Sequence, residues 1–248
     1  MEVFDSIITA ISYAKQPRKR PLIKEAIKLK GKKGIEIGGP SQFFQLKGGF
    51  PVYVYAGKID NVNYGSNTFF GDFEAGDTFQ YYKNKVGHQF IAEATDLHAI
   101  ANDSYDFILS SHSLEHTANP IKALKEWNRV LRPEGKMILL LPDKRFTMDH
   151  KRDYTTFTHL LSDYENNTSE ADTTHFDEVL LKFDAERHKT GIEEYKKLLL
   201  NNVANRCVHH HVFSQELVKS ALEFSDFIVD MQTELKPFHL VTVATKKA

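Results

Sequence analysis

The 248-residue sequence predicts a doubly wound α/β fold with a mostly parallel sheet, and two observations carry that expectation. Short apolar runs with strand character alternate with stretches of helical periodicity, the pattern of a parallel sheet covered on both faces. The first such run ends in an acid and a glycine-rich turn, Glu36-Ile37-Gly38-Gly39-Pro40, where a sheet of this kind opens its binding crevice.

In order, residues 1–33 form an N-terminal helical segment, with Ile23, Ala26, Ile27 and Leu29 along one face and Gly31 and Gly34 bracketing the turn that follows. Strands are expected at Gly34–Ile37, Val52–Tyr55, Gln89–Glu93, Tyr105–Ser110 and Lys136–Leu141, which makes 34–143 the core. Between the last two, Ile121, Leu124, Trp127, Val130 and Leu131 keep helical spacing behind Pro120, a residue suited to a first turn. The polar, histidine-rich stretch 144–205 shows no strand pattern and is expected to be a helical insertion. Residues 206–248 return to the core with a helix over Ser214–Phe224 and strands over Phe227–Thr233 and His239–Thr245, the last antiparallel. Thirteen of the 29 aromatics fall between Phe43 and Phe90, a density that points to buried core, with a pocket wall as the lesser reading.

Composition narrows the function. With 32 basic and 33 acidic residues the formal charge is −1, which gives no global attraction for nucleic acid or an anionic membrane. Cys207 is the only cysteine, so no intrachain disulfide can form and a cytoplasmic protein is expected. The start, Glu2 and Asp5 before Ile7, Ile8 and Ile11, reads as an amphipathic helix rather than a signal peptide. The strongest apolar run, Met137–Leu141, is far too short to cross a bilayer, so no integral membrane part is expected.

The turn after Glu36 lacks the glycines of a GxGxxG phosphate loop, which disfavours dinucleotide binding. Asp60 lies shortly after the expected second strand, where a carboxylate can accept two hydrogen bonds from a ribose diol, although Asp60-Asn61 could equally make a plain turn. Glu93 to Asp96 follow the third strand, within reach of an adenine amino group in such a fold.

The most specific stretch runs from Tyr105 through Ser110-Ser111-His112-Ser113-Leu114-Glu115-His116 to Arg129-Val130-Leu131-Arg132-Pro133-Glu134-Gly135. It resembles class I, Rossmann-like methyltransferases that use S-adenosyl-L-methionine (SAM), in particular the type 11-like group with Leu-Glu-His after the fourth strand and Arg-Val-Leu-x-Pro-x-Gly before the fifth. The resemblance covers roughly residues 34–142 and implies SAM as cofactor, with Glu36, Gly38 and Gly39 on its methionine side, Asp60 on its ribose, Glu93 and Asp96 near its adenine, and Ser111 and His112 near its sulfonium. The sequence departs from the group in reading Gly-Gly-Pro-Ser where alternating glycines are usual. Pro142-Asp143-Lys144-Arg145-Phe146-Thr147 is similar to a stretch in methyltransferases associated with bacterial surface glycans, which implies a small-molecule or glycan acceptor.

Methyl transfer to a hydroxyl needs a proton acceptor, and an imidazole titrates in the right range. His112, His150, His209 and His211 are the candidate bases, with Asp143 and Asp149 to orient them; His150, His209 and His211 are expected to converge over the methyl group. A structural role and metal binding, with Asp143, Asp149 or His175 as co-ligands, are the other readings of the His209–His211 run. Its spacing matches no compact metal motif, so no metal ligand is assigned. The insertion 144–205 is expected to form an acceptor-selecting cap that adds little to cofactor affinity. The competing function is a SAM-binding regulatory or partner module without catalysis.

Overall fold

The computed structural model describes residues 5, 13–68, 71–188 and 190–248. Helix α1 (Arg20–Lys28) leads into β1 (Lys33–Ile37), and a helical turn α2 (Val52–Tyr55) precedes β2 (Lys58–Asn63). Two short strands, β3 (Asn67–Thr68) and β4 (Gly71–Asp72), pair with each other before the hairpin of β5 (Gly76–Tyr82) and β6 (Lys85–Ile91). Then come β7 (Tyr105–Ser111), α3 (Pro120–Val130) and β8 (Leu131–Pro142). The insertion contributes α4 (Phe157–Glu165), α5 (Phe176–Leu181), α6 (Ile192–Leu200) and α7 (Asn202–Asn205), and the chain closes with α8 (Gln215–Phe224), β9 (Phe227–Leu235) and β10 (His239–Lys246).

The main sheet has the order β5-β6-β2-β1-β7-β8-β10-β9. Strands β6, β2, β1, β7 and β8 run parallel, β10 lies antiparallel between β8 and β9, and β5 adds an antiparallel edge. The order reverses at β1, so the strand ends on either side of it open a crevice. Two apolar layers cover the sheet, as the alternation of elements requires. One packs Trp127, Leu124 and Ile121 of α3 with Leu217, Ala221 and Leu222 of α8 against Ile35, Ile108 and Leu139. The other packs Leu22 and Ala26 of α1, Phe44, Phe50 and the α2 turn against Ile59, Phe107 and Leu140. A third, smaller core of Val179, Tyr195, Leu199 and Val208 holds the insertion together. No helix among the described residues is long and apolar enough to cross a membrane.

The doubly wound, mostly parallel sheet, its antiparallel C-terminal strand and the helical insertion are as the sequence predicts. One core strand is not. Val52–Tyr55 is a helical turn, and the second strand is Lys58–Asn63. The Val-Tyr-Val-Tyr composition favours a strand, but Pro51 starts a helical turn whose four buried side chains pack with α1, Phe44 and Phe50. The Lys85 ammonium donates to the carbonyls of Tyr53, Val54 and Ala56 at 3.0, 3.0 and 2.7 Å, closing the end of that turn. The β5 edge strand was not anticipated. The proposed helix of Ile7, Ile8 and Ile11, and the aromatics Phe69 and Phe70, lie outside the described residues.

Candidate active site

The carboxyl ends of β1, β2, β6 and β7 meet at a cavity of about 450 Å³, within the range of small-molecule and cofactor sites. Gly38 and Gly39 form one wall, Asn63 and Tyr64 the next, Ala92 to Ala94 the third, and Ser111 to Ser113 with His116 the fourth. Phe73, from the aromatic-rich segment, also reaches the wall, whereas Phe44, Phe50, Tyr53 and Tyr81 are core.

The glycine turn is held from below. Gly38 has φ +79°, its N–H donates to the Val62 carbonyl at 2.8 Å, and a Cβ built on it would lie 2.3 Å from Ser113 Oγ, so only glycine fits. Asn61 Oδ1 accepts from the Gly39 N–H at 3.0 Å, while the amides of Asn61 and Asn63 donate to the Gly39 carbonyl at 3.2 and 3.3 Å. Glu36 is fully buried beneath this turn and does not line the cavity. It accepts from the Tyr53 hydroxyl and, at 3.1 Å, from the Ser41 N–H. Burial pushes its carboxyl up to about 8 against the pull of those two bonds. Its part in the site is to shape the turn.

Asp60 is likewise absent from the cavity wall. It is the third residue of β2, not a residue beyond the strand, and its oxygens accept from the His88 N–H at 2.8 Å and the Tyr105 hydroxyl at 2.9 Å, with Lys33 and Lys58 nearby. Those partners outweigh burial and hold its carboxyl below the usual range. The residue at the end of β2 that faces the cavity is Asn63. Misplacing the second strand hid it; with Lys58–Asn63 as the strand, the positional rule points to Asn63. Glu93 lines the cavity, but Asp96 lies outside it, bonded to the His98 N–H at 3.2 Å.

Of the four candidate bases, only His112 lines the cavity. It is the first residue after β7, in the left-handed region at φ +54°, with its N–H on the Leu140 carbonyl at 3.0 Å. Its Nδ1 lies 3.4 Å from Oε1 of Glu115, and its Nε2 lies 2.9 Å from Nδ1 of His239. Glu115 is fully buried and neither of its oxygens has a hydrogen-bond partner among the described residues, yet the nearby imidazoles of His112, His116 and His209 outweigh the cost of burial and keep its carboxyl below the usual range. Behind it, His116 packs edge-on to His209 with ring centroids 4.5 Å apart, and burial pushes the His116 imidazole down to about 4.

The expected convergence of His150, His209 and His211 over the cavity does not occur. His150 pairs with Asp184 at 3.2 Å. His209 Nδ1 is 2.5 Å from Asp149, which also holds Arg152 at 2.9 Å; burial opposes a charge on His209, but the Asp149 carboxylate raises its pKa regardless. His211 points away, its Nε2 3.3 Å from the Ala118 carbonyl. In a regular strand residues two apart share a face, but the segment around 206–214 is not a strand, and here His209 turns toward His116 while His211 turns into the insertion. Asp143 is occupied by Arg145 and does not line the cavity.

The insertion reaches the site through Glu170, beside Arg206, the first residue of the C-terminal part. Glu170 and Arg206 line the cavity beside Glu93. Arg206 donates to Glu93 at 2.6 Å, pairs with Glu170 at 2.8 Å and stands 5.0 Å from the Tyr64 ring. Nothing in local sequence pattern marks this ion triad, because its members are far apart in the chain.

Residues 75–139 match the family model described as a methyltransferase domain, 65 of the 248 residues. Among curated proteins, none matches the sequence. Among solved structures, the fold is similar to that of an S-adenosylmethionine dependent methyltransferase from Mesorhizobium loti (TM-score 0.54, 15% identity, 94% of this chain and 98% of that one). It is also similar to SAM-dependent methyltransferases from Methanosarcina mazei (0.53, 15%, 92% and 97%) and Aquifex aeolicus (0.50, 14%, 97% and 97%). At these identities the likeness is one of fold. Residues 75–139 thus match a methyltransferase domain, and the chain shares its fold with methyltransferases that use S-adenosyl-L-methionine.

Proposed function

We propose that the chain transfers a methyl group from SAM to a hydroxyl of a small-molecule or glycan acceptor, with His112 as the base. The observation that carries this reading is the placing of His112: a strained backbone presents its imidazole at the cavity wall, with one ring nitrogen on a buried carboxylate.

The cavity fits the cofactor. The Gly38–Gly39 turn offers backbone close to the methionine part, Asn63 and Tyr64 stand where a ribose would lie, and Glu93 with Ala92 and Ala94 borders the place for an adenine. Bound there, SAM supplies a methyl carbon on a positively charged sulfur, a leaving group that needs no protonation. What remains for the protein is alignment, worth roughly 7 to 11 kcal/mol of a barrier, and removal of the acceptor's proton. With the Glu115 carboxylate 3.4 Å from Nδ1, a proton on His112 is favoured at that nitrogen, and the acceptor nitrogen is then Nε2, now turned to His239. An incoming hydroxyl takes the place of that His239 contact, gives its proton to Nε2 as the O–C bond forms, and leaves an imidazolium stabilised by Glu115.

The test is transfer of label from methyl-labelled SAM into fractions of a cell extract by the full chain, followed by identification of the product. Labelled product from wild type and its loss with His112→Gln are expected. Cofactor binding with no labelled product in any fraction would turn the reading to a non-catalytic SAM-binding module.

A further inference from the structure

Away from the cavity, the insertion gathers titratable side chains that methyl transfer does not use. His159 and Asp163 stand one turn apart on α4, His175 immediately precedes α5, and His211 comes from the extended segment before α8. His159 Nε2 is 3.0 Å from His175 Nε2 and 3.4 Å from Asp163 Oδ2, which in turn is 3.6 Å from His211 Nε2. A tetrahedral ion with bonds of about 2.0–2.1 Å separates its ligand atoms by about 3.3 Å. The three spacings, 3.0, 3.4 and 3.6 Å, straddle that value.

The cluster is poorly satisfied as it stands. Asp163 Oδ2 is buried and makes no hydrogen bond among the described residues, and neither does His211 Nδ1; His211 Nε2 holds only a 3.3 Å contact to the Ala118 carbonyl, which it gives up to bind an ion. Only one of the two facing Nε2 atoms of His159 and His175 can carry a proton toward the other, so the second offers a lone pair. Meanwhile the other ring nitrogen of His175 sits 3.2 Å from Asp172, whose carboxylate is itself fixed by Thr174 at 2.8 Å. A carboxylate behind an imidazole is the usual support for a metal-binding histidine.

We propose that His159, His175, His211 and Asp163 bind a zinc(II) ion, with Asp172 orienting His175. Three imidazoles and one carboxylate suit zinc over magnesium or calcium, which take oxygen ligands. With four protein ligands no position is left open, so the ion is structural. It joins α4 and α5 to the segment that carries His209 and His211, and it flanks the stretch that brings Glu170 to the cavity wall. His159, with 44% of its side chain exposed, gives the ion a route in from solvent. The expectation of no metal ligand came from spacing along the chain; the site is made from three separate elements.

The experiment strips the full-length chain with a chelator and titrates it with zinc chloride in competition with a chromophoric chelator, following melting temperature alongside. One equivalent of zinc per chain, a raised melting temperature and the intense visible absorption of tetrahedral cobalt(II) on substitution are expected. His159→Ala and His159→Gln, changes at a half-exposed position, should lose the uptake while keeping the wild-type circular dichroism. Asp172→Asn should weaken it by about 10–100-fold. His98→Ala, at an exposed histidine elsewhere, should leave it unchanged. A folded wild type that takes up no zinc, or equal uptake by either folded His159 variant, would overturn the proposal. Neither readout depends on methyl transfer.

Discussion

At the scale of single residues, two side chains decide what the site can do. His112 is the proton acceptor of the proposed reaction, so His112→Ala or His112→Gln should lower turnover by about 10²-fold or more while SAM affinity, measured by calorimetry, stays nearly constant. Equal losses of binding and turnover would make it a wall residue only. Glu36 works by another route. Burial pushes its carboxyl up to about 8 from the ordinary value of 4.5, so between those values the folded state holds a proton that the unfolded state has released, and folding is penalised progressively as pH rises. Glu36→Gln removes the penalty. Relative to wild type, the variant should therefore gain stability between about pH 5 and pH 8, with an upper bound of about 5 kcal/mol, seen as a growing difference in chemical-denaturation midpoints. A difference that is flat with pH would mean that Glu36 is ionised in the fold. Gly38, Gly39 and His112 were readable in the sequence because motif position fixes them. Asn63 was not, since its recognition depends on where β2 starts, and Glu170 and Arg206 carry no local signal at all.

At the scale of elements, the helix α3 follows from the helical spacing of its buried face, and strands β1, β7, β8 and β10 follow from short apolar runs buried on both faces of the sheet. The α2 turn shows where that reasoning stops: tertiary context, through Lys85 and the Glu36–Tyr53 bond, overrides strand-forming composition. The insertion is helical as its composition suggests, but through Glu170, paired with Arg206 just beyond its end, it reaches the cavity wall. Arg206 is the only cation of a triad whose two carboxylates both line the cavity. Arg206→Ala should leave those carboxylates uncompensated, lower stability by roughly 2–3 kcal/mol and weaken SAM binding together with turnover. Should only turnover suffer, the insertion would be an acceptor cap alone, as the sequence by itself suggested.

At the scale of the whole molecule, buried histidines set a limit on acid tolerance. Burial pushes His116 and His239 down to about 4 and His210 to about 3, so all three are neutral in the fold over a range where the unfolded chain binds protons. Each group contributes stability above its unfolded value of about 6.5 that is lost as pH falls toward the folded value. Asp149, held low against burial by His209 and Arg152, adds a loss at still lower pH. Melting temperature should thus fall steeply between pH 6.5 and pH 4, and a flat profile there would contradict the burial described. The central claim concerns the cavity at the turn of the sheet, and its most direct measurement is calorimetric titration of SAM into the full-length wild type and Gly38→Val. One SAM per wild-type chain is predicted, with affinity reduced at least about tenfold in a folded Gly38→Val, where a Cβ meets Ser113. No SAM binding by the folded wild type, or binding of NADH in its place, would contradict the account.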